Sequence, residues 1–329
     1  MAKPGMGETL HLSPDHPDGR EIIRRAFISR GTPEEVIPVL LASLSETSIR
    51  QYSQCLKKWW SFCIEYSYNP FEYNITRILE YFTKIQKSKL SFSSLNTHRA
   101  ALSLIFETNK NENADILKRF FKGAYNLNPP QPKYETTWDP EIVLKYIETL
   151  YPLENLTLET LSYKLVTLIA LISASRMQTI SKITIANIAA TEKGIEIRVP
   201  ERIKTSGPKK FQPILIFPEF KERPSLCIVK TLKYYMQRTQ ELRLHTEDKL
   251  LLTWKKPHHG ASSETLSRWV KNTLAKSGID ISRFSSHSTR HASTSAALRA
   301  GVNIEVIRAT AEPAGRKNQM PSQSFITDL

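Results

Sequence analysis

Cysteine is nearly missing from this chain: 329 residues hold three, Cys55, Cys63 and Cys227. They are too few for a disulfide framework and fall at no metal-ligand spacing, so they fit small core positions in a reducing compartment. Apolar runs long enough to cross a bilayer are absent too, which excludes a helical membrane span. The opening stretch MAKPGMGETLHLSPDHPDGR lacks the apolar centre of a secretory signal. No internal repeat is present. Acidic residues are outnumbered, 32 Asp+Glu against 46 Lys+Arg, leaving a formal net charge of +14. The expectation is an intracellular protein without a membrane partner.

What is present begins with that positive charge, which points to a polyanionic partner, most commonly nucleic acid. The length suggests two domains, and a hydrophobic content of 40% supplies cores for both. Residues 1–34, rich in Pro, Gly and charge, read as a flexible tail. From Ser45 the pattern turns helical. Ile49, Tyr52, Leu56, Trp59, Trp60 and Cys63 recur on one helical face, with Ser45 or Thr47 as cap. NITRILEYFTKIQ, SLNTHRAALSLIFE and NADILKRFFKGAYN predict three more amphipathic helices, the last ending near Gly123. Residues 35–127 therefore read as a small helical domain, and the proline-rich 128–138 as a linker.

A second domain over 139–312 opens with Asp139 as cap and Pro140 in the first turn. YKLVTLIALISAS (163–175) is apolar almost all round and predicts a buried helix. Ile195, Ile197 and Val199 alternate with Glu196 and Arg198, and PILIFP (213–218) gives a second strand. The turn RIKTSGPKK between them carries Lys204. CIVKTLKYYMQRTQELR and SSETLSRWVKNTLAKSG return to helix, the latter with a serine cap, an apolar stripe through Leu266, Trp269, Val270 and Leu274, and Gly278 as terminator.

Four side chains invite chemistry. Arg176 follows the buried helix; alone it reads as a buried ion pair or a carbonyl cap, while its planar donor fork also suits a phosphate. Lys204 sits on the hairpin turn with Arg202, Lys209 and Lys210, where a solvated charged face is the plain alternative. In SSHSTRHASTSAALRAG, Ser286 or Ser288 is expected to cap a helix, placing His287 and Arg290 about one turn apart at its positive end. Cations there are electrostatically awkward until an anion arrives. His291 is expected to face inward as a core histidine.

In this order (arginine, hairpin lysine, His-x-x-Arg, with a buried helix before and a small-residue helix after) the set resembles the tyrosine recombinase, or phage-integrase-like, family. The wording ERIKTSGPKKFQP and SSHSTRHASTSAALRAGVNIEVIRATA is similar, more narrowly, to recombinases of crypton-type eukaryotic mobile elements. The likeness covers about residues 35–312. It implies a mainly α fold with a small antiparallel β-sheet (α+β), with a helical core-binding, SAM-like domain ahead of an integrase-like catalytic domain. It also implies DNA integration and recombination, in which a tyrosine attacks a DNA phosphodiester, forms a 3′-phosphotyrosyl link and frees a 5′-hydroxyl, with no metal and no other cofactor. Arg176 and Arg290 would hold the nonbridging oxygens, Lys204 would protonate the leaving oxygen, and His287 would act in proton transfer and phosphate binding. Duplex DNA is the implied partner, bound by domains closing as a clamp, together with a homo-oligomer on DNA and a nuclear setting in a eukaryote.

Departures follow Ala311. The family expects a second His or Trp in a phrase like AGW, where RATAEPAG gives Glu312 and Pro313. It then expects a helix with the nucleophile, where 313–329 holds no tyrosine; the last in the chain is Tyr235. Thr179 stands where many relatives carry a glutamate. The expectation is a divergent, disordered tail over 313–329, loss of the segment by which protomers dock, and catalysis that is incomplete in this chain. The alternative is a domesticated duplex DNA-binding protein without catalysis.

Overall fold

The computed structural model describes residues 16–88, 90–106, 114–131, 134–203, 206–207, 212–243 and 248–311. They fall into two compact units, Met1–Pro132 and Lys133–Leu329.

The first unit is helical: α1 Gly19–Ser29, α2 Ile37–Ala42, α3 Glu46–Glu65, α4 Ile75–Lys87, α5 Phe92–Leu102 and α6 Ala114–Leu127. Local chemistry sets the starts. The side chains of Asp18, Ser45, Asn74 and Ser91 each accept a bond from a first-turn backbone N–H, satisfying donors that the helix leaves unmade. The apolar face of α3 buries Leu56, Trp59, Trp60 and Cys63 against Tyr81 and Phe82 of α4. Trp59 stands edge-on to Tyr81 at 5.1 Å and donates from Nε1 to the Pro70 carbonyl at 3.0 Å. Truncating such an indole costs about 3–5 kcal/mol.

Two expectations for this unit are corrected. The flexible tail over 1–34 does not describe residues 19–34: α1 buries Ile22, Ile23 and Ala26 in the same core. Its approach to α3 needs Gly19, where a Cβ would lie 2.1 Å from Ser53 Oγ. Nor does α6 end near Gly123; it runs on to Leu127. A glycine inside a helix costs only about 1 kcal/mol relative to alanine, and the packing of Phe121 and Ala124 against the core offsets it.

The second unit contains α7 Pro140–Thr149, α8 Leu158–Ser173, α9 Met177–Ile180, β1 Ile188–Thr191, β2 Gly194–Arg198, β3 Ile214–Pro218, α10 Ile228–Thr239, α11 Ser263–Lys276, α12 Ser288–Arg299 and α13 Ile304–Ala311. The mainly helical α+β expectation holds, with an antiparallel sheet in the order β1-β2-β3. The sequence missed β1, whose IAAT has no alternating apolar side chains and is exposed along most of its length. Ile197 pairs with Leu215 and Ile195 with Phe217; all four are buried, which fixes the register because a one-residue slip would expose them. Helix α8 is the centre of the unit. Every residue from Leu161 to Ser173 is buried, as its all-round apolar pattern requires, with α10, α11 and α12 packed around it.

Candidate functional site

Arg176 is placed by the abrupt end of α8. Ala174 takes a left-handed conformation, φ 47° and ψ 26°, one that an L-residue adopts at a cost of roughly 1–2 kcal/mol. Its methyl group compensates: Ala174 is wholly buried in a cluster with Ala297 of α12 and Ile307 of α13. Two residues later Arg176 caps α9, its carbonyl accepting from the N–H groups of Thr179 at 2.8 Å and Ile180 at 3.1 Å. Its side chain is half-buried. Thr179, the residue found in place of a glutamate, is buried.

His287 and Arg290 stand at the start of α12. His287 is the N-cap residue, with its side chain exposed and making no capping bond. Arg290 follows one turn on, half-buried, with Nη1 inside the protein. Neither Ser286 nor Ser288 caps the helix, which corrects the expectation. The Ser288 hydroxyl instead donates back to the Ser285 carbonyl at 2.6 Å, and the Ser286 carbonyl accepts from Thr289 Oγ1 at 2.7 Å. His291 is corrected as well: it is exposed, its ring edge-on to Tyr134 at 6.1 Å. Burial of Ala292, Ala296 and Ala297 shows which side of α12 faces the core, and position 291 falls off it.

The end of α8, two residues before Arg176, packs against α12 through Ala174 and Ala297, the latter seven residues beyond Arg290. Lys204 lies outside the described residues, as do Lys209, Lys210 and 312–329. The base of its connection is described. Val199 N–H donates to the Pro213 carbonyl at 3.2 Å, and Ser206 Oγ receives the Ile203 N–H at 2.8 Å while donating to Gln212 Oε1 at 3.0 Å. Glu201 is held between Lys182 and Lys249, and the hydrogen bond from Lys249 leads the effects that keep its carboxyl below the usual range. Lys182 also donates to the Arg202 carbonyl. Both strands of the hairpin are therefore tied down at their root, with a charge-assisted network beneath.

Half-buried guanidiniums beside a positive helix end are suited to an oxyanion with several acceptors, such as a phosphate diester. Among the described residues no cluster of three His, Cys, Asp or Glu side chains is placed to hold a metal ion, and no helix is long and apolar enough to cross a membrane. Sequence reasoning missed the residues that hold the α12 turn from outside: Tyr134 hydrogen-bonds Ser285 at 2.8 Å and Trp138 donates to Ser288 at 2.8 Å. Some 150 residues separate each pair in the chain, so no local pattern could reveal them.

Comparison with known proteins bears on the second unit first. Its three-stranded sheet with surrounding helices is of the integrase catalytic type. Residues 145–311 match the phage integrase family, a span that includes Arg176, Lys204, His287 and Arg290, and the chain belongs to that family. Among solved structures it is similar to the XerH site-specific recombinase bound to a palindromic difH substrate in a post-cleavage complex, with TM-score 0.59 and 13% identity over 97% of this chain and 87% of that one. It is similar also to the Tn1549 transposon integrase in complex with transposon right end DNA, with TM-score 0.55 and 12% identity over 92% of each chain. Lambda integrase bound to DNA gives TM-score 0.53 and 13% identity over 94% of each. At these identities the likeness is one of fold. No curated protein matches the chain.

Proposed function

We propose that this protein binds duplex DNA as a tyrosine-recombinase-type protein of the integration and recombination class, gripping one backbone phosphate between Arg176 and Arg290 with His287 and Lys204 beside it. The observation that supports the reading is that all four residues fall within the family match, with the end of α8 before Arg176 packed against α12 through Ala174 and Ala297. Net charge supplies the long-range attraction, and phosphate contacts most of the affinity. In the reaction so implied, a tyrosine oxygen bonds to phosphorus and the 5′-oxygen leaves, taking its proton from Lys204. Arg176 and Arg290 offset the charge that builds on the nonbridging oxygens. The wording of 201–213 and 285–311 also resembles crypton-type mobile-element recombinases, and the setting proposed is nuclear in a eukaryote, with protomers assembling on DNA.

A second reading has its own support. The residues from His291 to Leu329 include no tyrosine, and Tyr235 is wholly buried, accepting the Leu252 N–H at 3.0 Å. Burial also pushes its phenol up, away from the phenolate a nucleophile requires. The second reading is duplex binding without strand cleavage. Incubation with a nicked suicide duplex separates the two readings. The expected result is a salt-sensitive mobility shift with no covalent protein–DNA band; a denaturation-resistant band restores full recombinase chemistry.

A further inference from the structure

We infer that Tyr134 and Trp138 are positioning residues that set the phosphate-binding turn of α12 from outside it, an inference that rests on the DNA-binding reading above. Helix α12 has no side-chain cap of its own, so the place of its first turn is fixed by what holds it from other parts of the chain. Two side-chain hydrogen bonds among the described residues do so. The Tyr134 hydroxyl shares a 2.8 Å hydrogen bond with Ser285 Oγ, and its ring stacks on Phe284 at 5.4 Å and 29° while meeting His291 edge-on. The Trp138 indole, itself buried, donates from Nε1 to Ser288 Oγ at 2.8 Å. Ser288 in turn donates to the Ser285 carbonyl, so the two holds meet in one small network. His287 lies inside the bracket they form, and Arg290 two residues beyond it.

The anchor of this network is stiff. Trp138 immediately precedes Asp139, whose carboxylate accepts the Glu141 N–H at 3.0 Å, and Pro140 starts α7. A buried polar bond of this kind constrains geometry more than it adds to net stability. A guanidinium that must meet a phosphate with two bonds is sensitive to displacements well under 1 Å. The segment 134–138, by pattern no more than the end of a proline-rich linker, thus has a second role: it orients the turn from which His287 and Arg290 reach the DNA.

The test is a double-mutant cycle on the full chain, with equilibrium binding to one labelled duplex at fixed salt and a thermal midpoint for each variant. Tyr134→Phe keeps the ring and its stacking but deletes the hydroxyl; Ser285→Ala deletes the partner. Each is expected to weaken binding by about 2- to 10-fold in the Arg290-containing protein and to have no further effect once Arg290→Ala is present. A structural role alone would shift the thermal midpoint without this dependence on Arg290. Unchanged affinity, or equal losses in both backgrounds, overturns the inference. Absence of salt-dependent duplex binding by the unaltered protein is a different result, and sinks the DNA-binding reading itself.

Discussion

Burial of single polar groups gives this fold its clearest pH signatures. His98 is buried and receives or donates a 2.7 Å hydrogen bond with the Tyr81 hydroxyl. Burial, helped by Lys58, pushes its imidazole down to about 4. Its folded value lies below its unfolded one, so the unfolded chain gains the proton first and stability falls as pH drops from about 6.5 towards 4, by on the order of 2–3 kcal/mol. Denaturant midpoints between pH 7 and 4.5 should show that loss in the wild type and a smaller one in His98→Asn. Lys164 is the parallel case in the second unit. Its side chain is wholly buried and its ammonium donates to the carbonyls of Ile147 at 3.1 Å and Leu150 at 2.7 Å, at the end of α7, where the Ile147 carbonyl also accepts the Leu150 N–H. Burial pushes it down to about 8, with Glu148 opposing. Protonation is thus disfavoured in the fold, and wild type should gain stability relative to Lys164→Met as pH rises from 8 to 10; a constant difference would contradict the assignment. At this scale residue type and order single out Arg176, His287 and Arg290 as candidates. The lie of His291 was not legible, because α12 has small and polar residues on every side and no apolar stripe to orient it.

Elements owe their boundaries to local chemistry and their neighbours to the core. Caps at Ser45, Asp139 and Ser262 were legible because a hydroxyl or carboxylate two or three residues ahead of an N–H is a local geometry. The end of α11 was legible through Gly278, at φ +87°. Helix α1 was not, since its Pro- and Gly-rich approach masks a short helix stabilised by burial in the core. The pairing of α12 with the end of α8 was beyond any local pattern as well. It rests on Ala174, Ala297 and Ile307, three small or medium side chains in one cluster. Ala297→Leu adds three carbon atoms where the residue is 1% exposed, and overpacking of this kind costs about 1–3 kcal/mol. The expected outcome is a lowered thermal midpoint together with weakened DNA binding, because the turn that bears Arg176 would be pushed from α12. Weakened stability with full DNA affinity would show that this contact does not set the site.

For the molecule as a whole, a charge of +14 makes salt the natural variable. A chain that neutralises several phosphates should lose on the order of 10³-fold in affinity between low and moderate salt. Long-range charge alone would treat all basic residues alike; a shaped phosphate site would not. The most direct test is therefore the salt dependence of duplex binding for Arg290→Ala beside Lys210→Ala, two variants of equal charge. Arg290→Ala is predicted to weaken binding more at every salt concentration and to lower the slope of log K against log salt by about 0.9, the value of one phosphate contact. Equal affinities and equal slopes for the two variants would contradict the account.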